Sequence, residues 1–240
     1  MVKLNRAIIS VDTGFTGAIV LNYQGKVKMW DMPVTDETFL SNQKHCLDTI
    51  ACMELLKAEF DQFDDGTQVV FVTEQMQAMG RLMPARTLLG LVEMSSAIET
   101  TIQFLGWSTN RSVFIRKYQP RFWIQRIFPG REKRSGKGET AKKNESLDLA
   151  RELFPELADK LSRKKDHNRA EALLLSFMCL IELAEATDSL SSKAFQQMQN
   201  DFHVRSFGEH SAKFTHVLGL WAELPNALKQ EIQKRVNPNK

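Results

Sequence analysis

No run of about eighteen uncharged apolar residues occurs in this 240-residue chain, so none of it reads as a membrane span. Cysteine is scarce. Cys46, Cys52 and Cys179 form neither a CxxC pair nor an even disulfide set, which predicts reduced thiols used as core filler. Met1 to Arg6 lead straight into a strand-like segment, without the apolar stretch and small-residue cleavage site of a secretory signal. The expected home is therefore cytoplasmic, or on the nucleoid. An excess of one charge is also missing: a net +3 excludes a chain that is a polycation throughout. The length suits one α/β domain with a real core and is too short for two catalytic domains. No internal repeat is present.

The patterning that remains is that of a mixed sheet with helices. Ala7–Val11 is a short apolar run of buried-strand type that stops at Asp12-Thr13-Gly14, with Gly17 just beyond. Residues 18–21 and 27–30 flank a polar, Gly-containing connection, which predicts an antiparallel meander of three strands. Apolar spacing predicts a helix over roughly 41–60. A second buried-type strand, 68–74, ends in Glu74, and Pro84 opens a long helix to about residue 105. A fifth strand follows at 113–115, then a short helix from Pro120, a Gly- and charge-rich loop over 129–140, and helices from about 139, from Pro155, and from 170 to 186 with Asp166 or Asn168 as N-cap. Three strands, helix, strand, helix, strand, then helices is the element order of a ribonuclease H-like domain.

The acidic residues carry the chemistry. Phosphoryl transfer by two metal ions needs several carboxylates converging on one point, because Mg²⁺ prefers hard oxygen ligands and must stay partly open to substrate. Asp12 and Glu74 each end a buried-type strand, where the bland reading is a turn former. Glu171 sits between Ala170 and Ala172 ahead of a Leu run, where an acid is partly buried and needs a partner or a metal. Asp166 is either a helix cap or a fourth member of the set.

Residues 10–20 (SVDTGFTGAIV), 72–75 (VTEQ), 120–123 (PRFW) and 165–174 (KDHNRAEALL) together resemble the motif blocks of RuvC-type Holliday junction resolvases, nearest to the phage and chloroplast branch. The resemblance covers roughly residues 6–182. It implies a ribonuclease H-like nuclease domain over 1–186, with a mixed five-stranded sheet flanked by helices, and a helical C-terminal extension over 187–240. It further implies a homodimer, nucleoid-associated or phage-encoded, that nicks four-way or branched DNA in pairs using two Mg²⁺ or Mn²⁺ ions and no nucleotide cofactor. Carried over, Asp12, Glu74, Asp166 and Glu171 are both the catalytic set and the metal ligands. The last block departs from the bacterial pattern: Asn168 stands where an acid is expected, so Asp166 or, as second choice, His167 would complete the site.

Ten basic residues against two acidic ones between Arg116 and Lys143 leave the rest of the chain net negative, a segregation suited to phosphate contacts. Lys142, Lys143, Lys137 and Arg134 are the candidates there, and Arg81 and Arg86 near the loop after Glu74 are two more. Met76 and Met79 in that loop are candidate wedges at a junction centre; packing beneath the loop is the bland alternative. Phe122 and Trp123 read as core packing alongside Ile127, with base stacking as the alternative. Asp12-Thr13-Gly14 also resembles the first phosphate loop of actin-like and sugar-kinase ATPases, but 12 glycines and this length leave no evident second nucleotide-binding half. A non-catalytic branched-DNA binder and a broader debranching or replication nuclease complete the alternatives.

Overall fold

The computed structural model describes residues 6–35, 46–76, 85–128 and 139–188. Strand β1 (Arg6–Asp12) lies at the middle of a five-stranded sheet of order β3-β2-β1-β6-β7. It pairs antiparallel with β2 (Ala18–Tyr23), which pairs antiparallel with β3 (Lys26–Asp31). On its other side it runs parallel to β6 (Gln68–Glu74), which runs parallel to β7 (Val113–Tyr118). This is the ribonuclease H-like fold: a mixed sheet flanked by helices. β1 and β6 are continuously apolar because both faces of the sheet are covered, unlike a half-exposed strand that alternates.

Alternation within each strand sorts the side chains into two cores. Ala7, Ile9, Val11, Val69 and Phe71 pack with α1 (Thr49–Phe60) and α2 (Ala85–Ser108). Ile8, Val70, Val72 and Tyr118 pack with α3 (Pro120–Ile127), α4 (Glu139–Leu153) and α5 (His167–Asp188). On α5, Ala170 and every residue from Ala172 to Leu183 are buried, which is why its sequence is apolar on all sides rather than on one stripe.

Three local expectations change. Residues 41–45 lie outside the described set, and α1 begins at Thr49 because the Asp48 side chain accepts a hydrogen bond from the Ala51 N–H at 2.9 Å and caps the helix. Just before it, β5 (Cys46–Leu47) pairs with β4 (Val34–Thr35) in a two-stranded ribbon too short to leave a periodic signal. The segment opened by Pro155 is a 3₁₀ helix to Leu161 rather than an α-helix, its last carbonyl taken by the Arg151 guanidinium. The extension over 187–240 lies outside the described residues from 189 onward, and α5 itself runs to Asp188. No described helix is long and apolar enough to cross a membrane.

The turn between β1 and β2 tolerates no side chain at Gly17. A Cβ there would stand 2.1 Å from the Asp12 carbonyl oxygen and within 3 Å of two Gly14 backbone atoms. Gly17→Ala is therefore expected to cost at least about 1–3 kcal/mol, as overpacking against backbone does. Urea unfolding checks this, and an unchanged midpoint would show that the turn can relax.

Candidate functional site

Parallel pairing brings two acids together. Val11 and Thr73 are register partners, so Asp12 and Glu74 are the next residues along adjacent strands, about 4.8 Å apart across the ladder. They share a face because Ile8, Ser10 and Asp12 alternate with the other core, as do Val70, Val72 and Glu74. The Thr13 and Thr73 hydroxyls, 3.0 Å apart, tie the two strand ends together on the opposite face.

The third acid arrives on α5. Ser10 Oγ donates to the Ala172 carbonyl at 2.7 Å, and the Asn168 amide donates to the Thr16 carbonyl in the β1–β2 turn. Arg169 Nε binds Asp31 Oδ1 at the end of β3 at 2.7 Å. These bonds hold the first turns of α5 over the carboxyl edge of the sheet and fix Glu171 beside Asp12 and Glu74. From α4, Ser146 Oγ donates to Glu171 Oε1 at 3.3 Å.

The three carboxyls are half-buried and feel one another's charge. Desolvation, then Glu171, then Glu74 push Asp12 well above the usual carboxylate range, and Lys143 opposes them. Desolvation and Glu171 push Glu74 up to about 7, against an opposing pull from the Trp123 indole. That indole N–H is buried and has no acceptor within normal hydrogen-bond range, so its pull on Glu74 acts through a long contact. Among the described residues no group of three or more His, Cys, Asp or Glu side chains stands in metal-holding geometry. The acids repel without their oxygens being drawn to one point.

Asp166 is placed differently. It is 2% exposed and accepts hydrogen bonds from the Arg163 backbone N–H at 2.8 Å and the Arg163 guanidinium at 2.7 Å, with Arg169 at 3.9 Å. Burial acts to raise its carboxyl, but these bonds and charges outweigh it and hold the group below its ordinary value. It stands in a single 3₁₀ turn, Lys164–Asp166, just before α5, where it reaches back to Arg163 instead of capping α5. The His167 ring is engaged locally, its Nδ1 3.2 Å from the Lys164 carbonyl.

Among the basic candidates, Lys143 lies close enough to Asp12 to lower its pKa. Lys142 stands on α4 and Arg86 on α2, with side chains outside the described set. Arg81, Arg134, Lys137 and Met79 lie outside the described residues, while Met76 is half-buried beside Glu74. Two cations of the basic segment are already paired. Arg116 binds Glu182 at 2.9 Å beneath Tyr118, and Lys117 binds Glu99 at 2.6 Å. Trp123 and Ile127 are core residues, whereas Phe122 is 45% exposed on the outer side of α3. Sequence reasoning passed over Ser146 and the Arg163–Asp166 pair; the three-residue spacing of the latter was the available signal.

No family model matches the chain, and no curated protein matches it. Among solved structures it is similar to Thermus thermophilus RuvC, at 14% identity and a TM-score of 0.34, over 72% of this chain and 92% of that one. The fold is set by strand order and register.

An acid whose pKa is raised by folding binds its proton more tightly folded than unfolded, so stability falls as pH rises from the unfolded value through about 7. Glu74→Gln removes that loss. In a chelating buffer it should raise Tm by on the order of a few degrees at about pH 8 and give no advantage near pH 4. A lower Tm at about pH 8 would contradict the charge conflict. Asp166 has the opposite sign: its contribution is present above the unfolded value and lost as pH falls through the lower folded one. Asp166→Asn should therefore destabilise at neutral pH by about 1–3 kcal/mol in urea unfolding. No loss would mean that the Arg163 pair contributes nothing.

Proposed function

We propose that this chain is a divalent-metal-dependent endodeoxyribonuclease that acts on branched DNA and, as a homodimer, resolves four-way junctions by paired symmetric nicks. The reading rests on one observation above the others. Asp12, Glu74 and Glu171, from three separate elements, lie half-buried within reach of one another's charge at the carboxyl edge of adjacent parallel strands, and the first two have raised pKa values.

The donor set suits a divalent cation on chemical grounds. Three carboxylates offer hard oxygens, and their mutual repulsion leaves the pocket short of positive charge, with Lys143 the cation acting on Asp12. Asp12, Glu74 and Glu171 would hold the ions, two Mg²⁺ or Mn²⁺. When bound, they would neutralise charge developing on the scissile phosphate. The chain's own groups do the remaining work. Ser146 orients Glu171, and Lys143, which acts on Asp12, would also be placed to contact a phosphate. We assign Asp166 a positioning role: with Arg163 it sets the start of α5, and through α5 the place of Glu171. Lys142 and the basic stretch that precedes it supply phosphate contacts, and the exposed Phe122 offers a face on which a base can stack.

A second reading, a non-catalytic binder of branched DNA, is favoured by the ungrouped state of the acids. The two separate in one assay. The protein is incubated with a synthetic four-way junction, a Y-fork and linear duplex in Mg²⁺, and the nicks are mapped. Symmetric nicks near the junction centre are expected, with Asp12→Asn and Glu74→Gln retaining junction binding and losing cleavage. Binding without nicks by the unaltered protein selects the binder, and nicking left intact by both substitutions removes the site assignment.

A further inference from the structure

The indole of Trp123 is a donor without an acceptor. Trp123 is 3% exposed, and its Nε1 is closed off from solvent and makes no hydrogen bond. A buried donor left unmet costs stability, so few persist in folded chains without a task. Phenylalanine would fill core space without that cost. The sheet fixes where this donor stands. Glu74 and Tyr118 are register partners on β6 and β7, and the Gln75 N–H binds the Tyr118 carbonyl at 2.7 Å. Pro120 opens α3 two residues later, and the Phe122 and Trp123 N–H groups both bond to the Gln119 carbonyl. Trp123 therefore lies in the first turn of a helix that springs from beside Glu74. It packs in the core that holds Val72, Tyr118 and Ile127, on the side of the sheet that Glu74 shares. Burial and Glu171 oppose ionisation of the Glu74 carboxylate, and the Trp123 indole favours it. The other two acids have partners of their own: Ser146 Oγ donates to Glu171 at 3.3 Å, and Lys143 acts on Asp12.

We propose that Trp123 is a positioning residue for metal binding: its indole N–H bonds one oxygen of the Glu74 carboxylate and leaves the other oxygen to the divalent cation. This deepens the metal-dependent reading above and rests on it. Carboxylates that ligate a metal are themselves hydrogen-bonded, which fixes their orientation. An indole suits that task because it is a donor only and cannot take the cation itself. Held in the core, the ring aims its N–H in one direction. Among the described residues the acids stand without their oxygens drawn to one point, and drawing them together closes the gap between Glu74 and the indole. A bond from a buried N–H to a charged oxygen is of the strong class, and burial keeps water from competing for it.

Mn²⁺ affinity of the full chain, measured by titration calorimetry without DNA, tests this, with circular dichroism confirming that each variant is folded. Trp123→Phe keeps an aromatic ring and removes the donor, and should weaken Mn²⁺ binding about 10–100-fold, the usual effect of losing an outer partner of a ligand. Benzothienylalanine at position 123, with sulfur in place of the indole N–H, should give the same loss while keeping the shape of the ring. In a Glu74→Ala background Trp123→Phe should change the affinity little further, because the indole acts through that carboxylate. In the unaltered chain the indole ¹⁵N–¹H resonance of Trp123 should move downfield on adding Mg²⁺. Unchanged Mn²⁺ affinity in both position-123 variants overturns the inference. So does an equal loss with and without Glu74, which marks a structural role, or an indole resonance that Mg²⁺ leaves in place. A chain that binds no Mn²⁺ overturns this inference and the metal-dependent reading together, whereas one that holds Mn²⁺ through Trp123 and never nicks DNA defeats the nuclease reading alone.

Discussion

Helix α5 crosses the sheet with Ala170 and residues 172–183 buried, and the bond from Ser10 Oγ to the Ala172 carbonyl locks its register against β1. A slip of one residue would turn its side chains by about 100° and bring different ones onto the strands. Much else depends on that register. It sets Glu171 beside the ends of β1 and β6, directs Glu182 to Arg116 and Tyr118, and brings Arg169 to Asp31. Ser10 can act this way because it occupies a core-facing position in an otherwise apolar strand, where its hydroxyl would be costly without an acceptor.

The same register creates a conflict. A helix whose buried length is almost wholly apolar carries Glu171 into contact range of two acids whose strand positions are themselves imposed by pairing. Three acids crowded at a half-buried edge oppose one another's ionisation, and Lys143 and the Ser146 hydroxyl act against this. Asp166, five residues before Glu171, is satisfied in full by Arg163 and contributes in the ordinary way of a buried, paired carboxylate. The contrast sorts the acids by chemistry: Asp166 is held below its ordinary value by Arg163, whereas Asp12 and Glu74 are pushed up by burial and by neighbouring acids.

What the sequence made legible follows from the range of the interactions. The strand order, the placement of Asp12 and Glu74 at strand ends and the unusual setting of Glu171 amid Ala and Leu are written in contiguous residues, because hydrophobic period and strand termini are local signals. The surroundings of Asp166 were half legible: its pairing with Arg163 is local, but whether it faces the cleft depends on where the 3₁₀ turn before α5 points. The β4–β5 ribbon is two residues wide and joins segments eleven positions apart, so no periodicity could announce it. Arg116 and Lys117 read as part of a basic run, yet each is neutralised by an acid from a distant helix, Glu182 and Glu99. Composition cannot see such pairings.

The sheet also keeps two surfaces apart. The acids lie on the face covered by α5, at the carboxyl edge of β1 and β6, whereas the exposed apolar side chains Leu89, Val92, Phe104 and Trp107 lie on α2, across the sheet. Substitutions on one surface need not touch the other, since residues with no shared partner act additively.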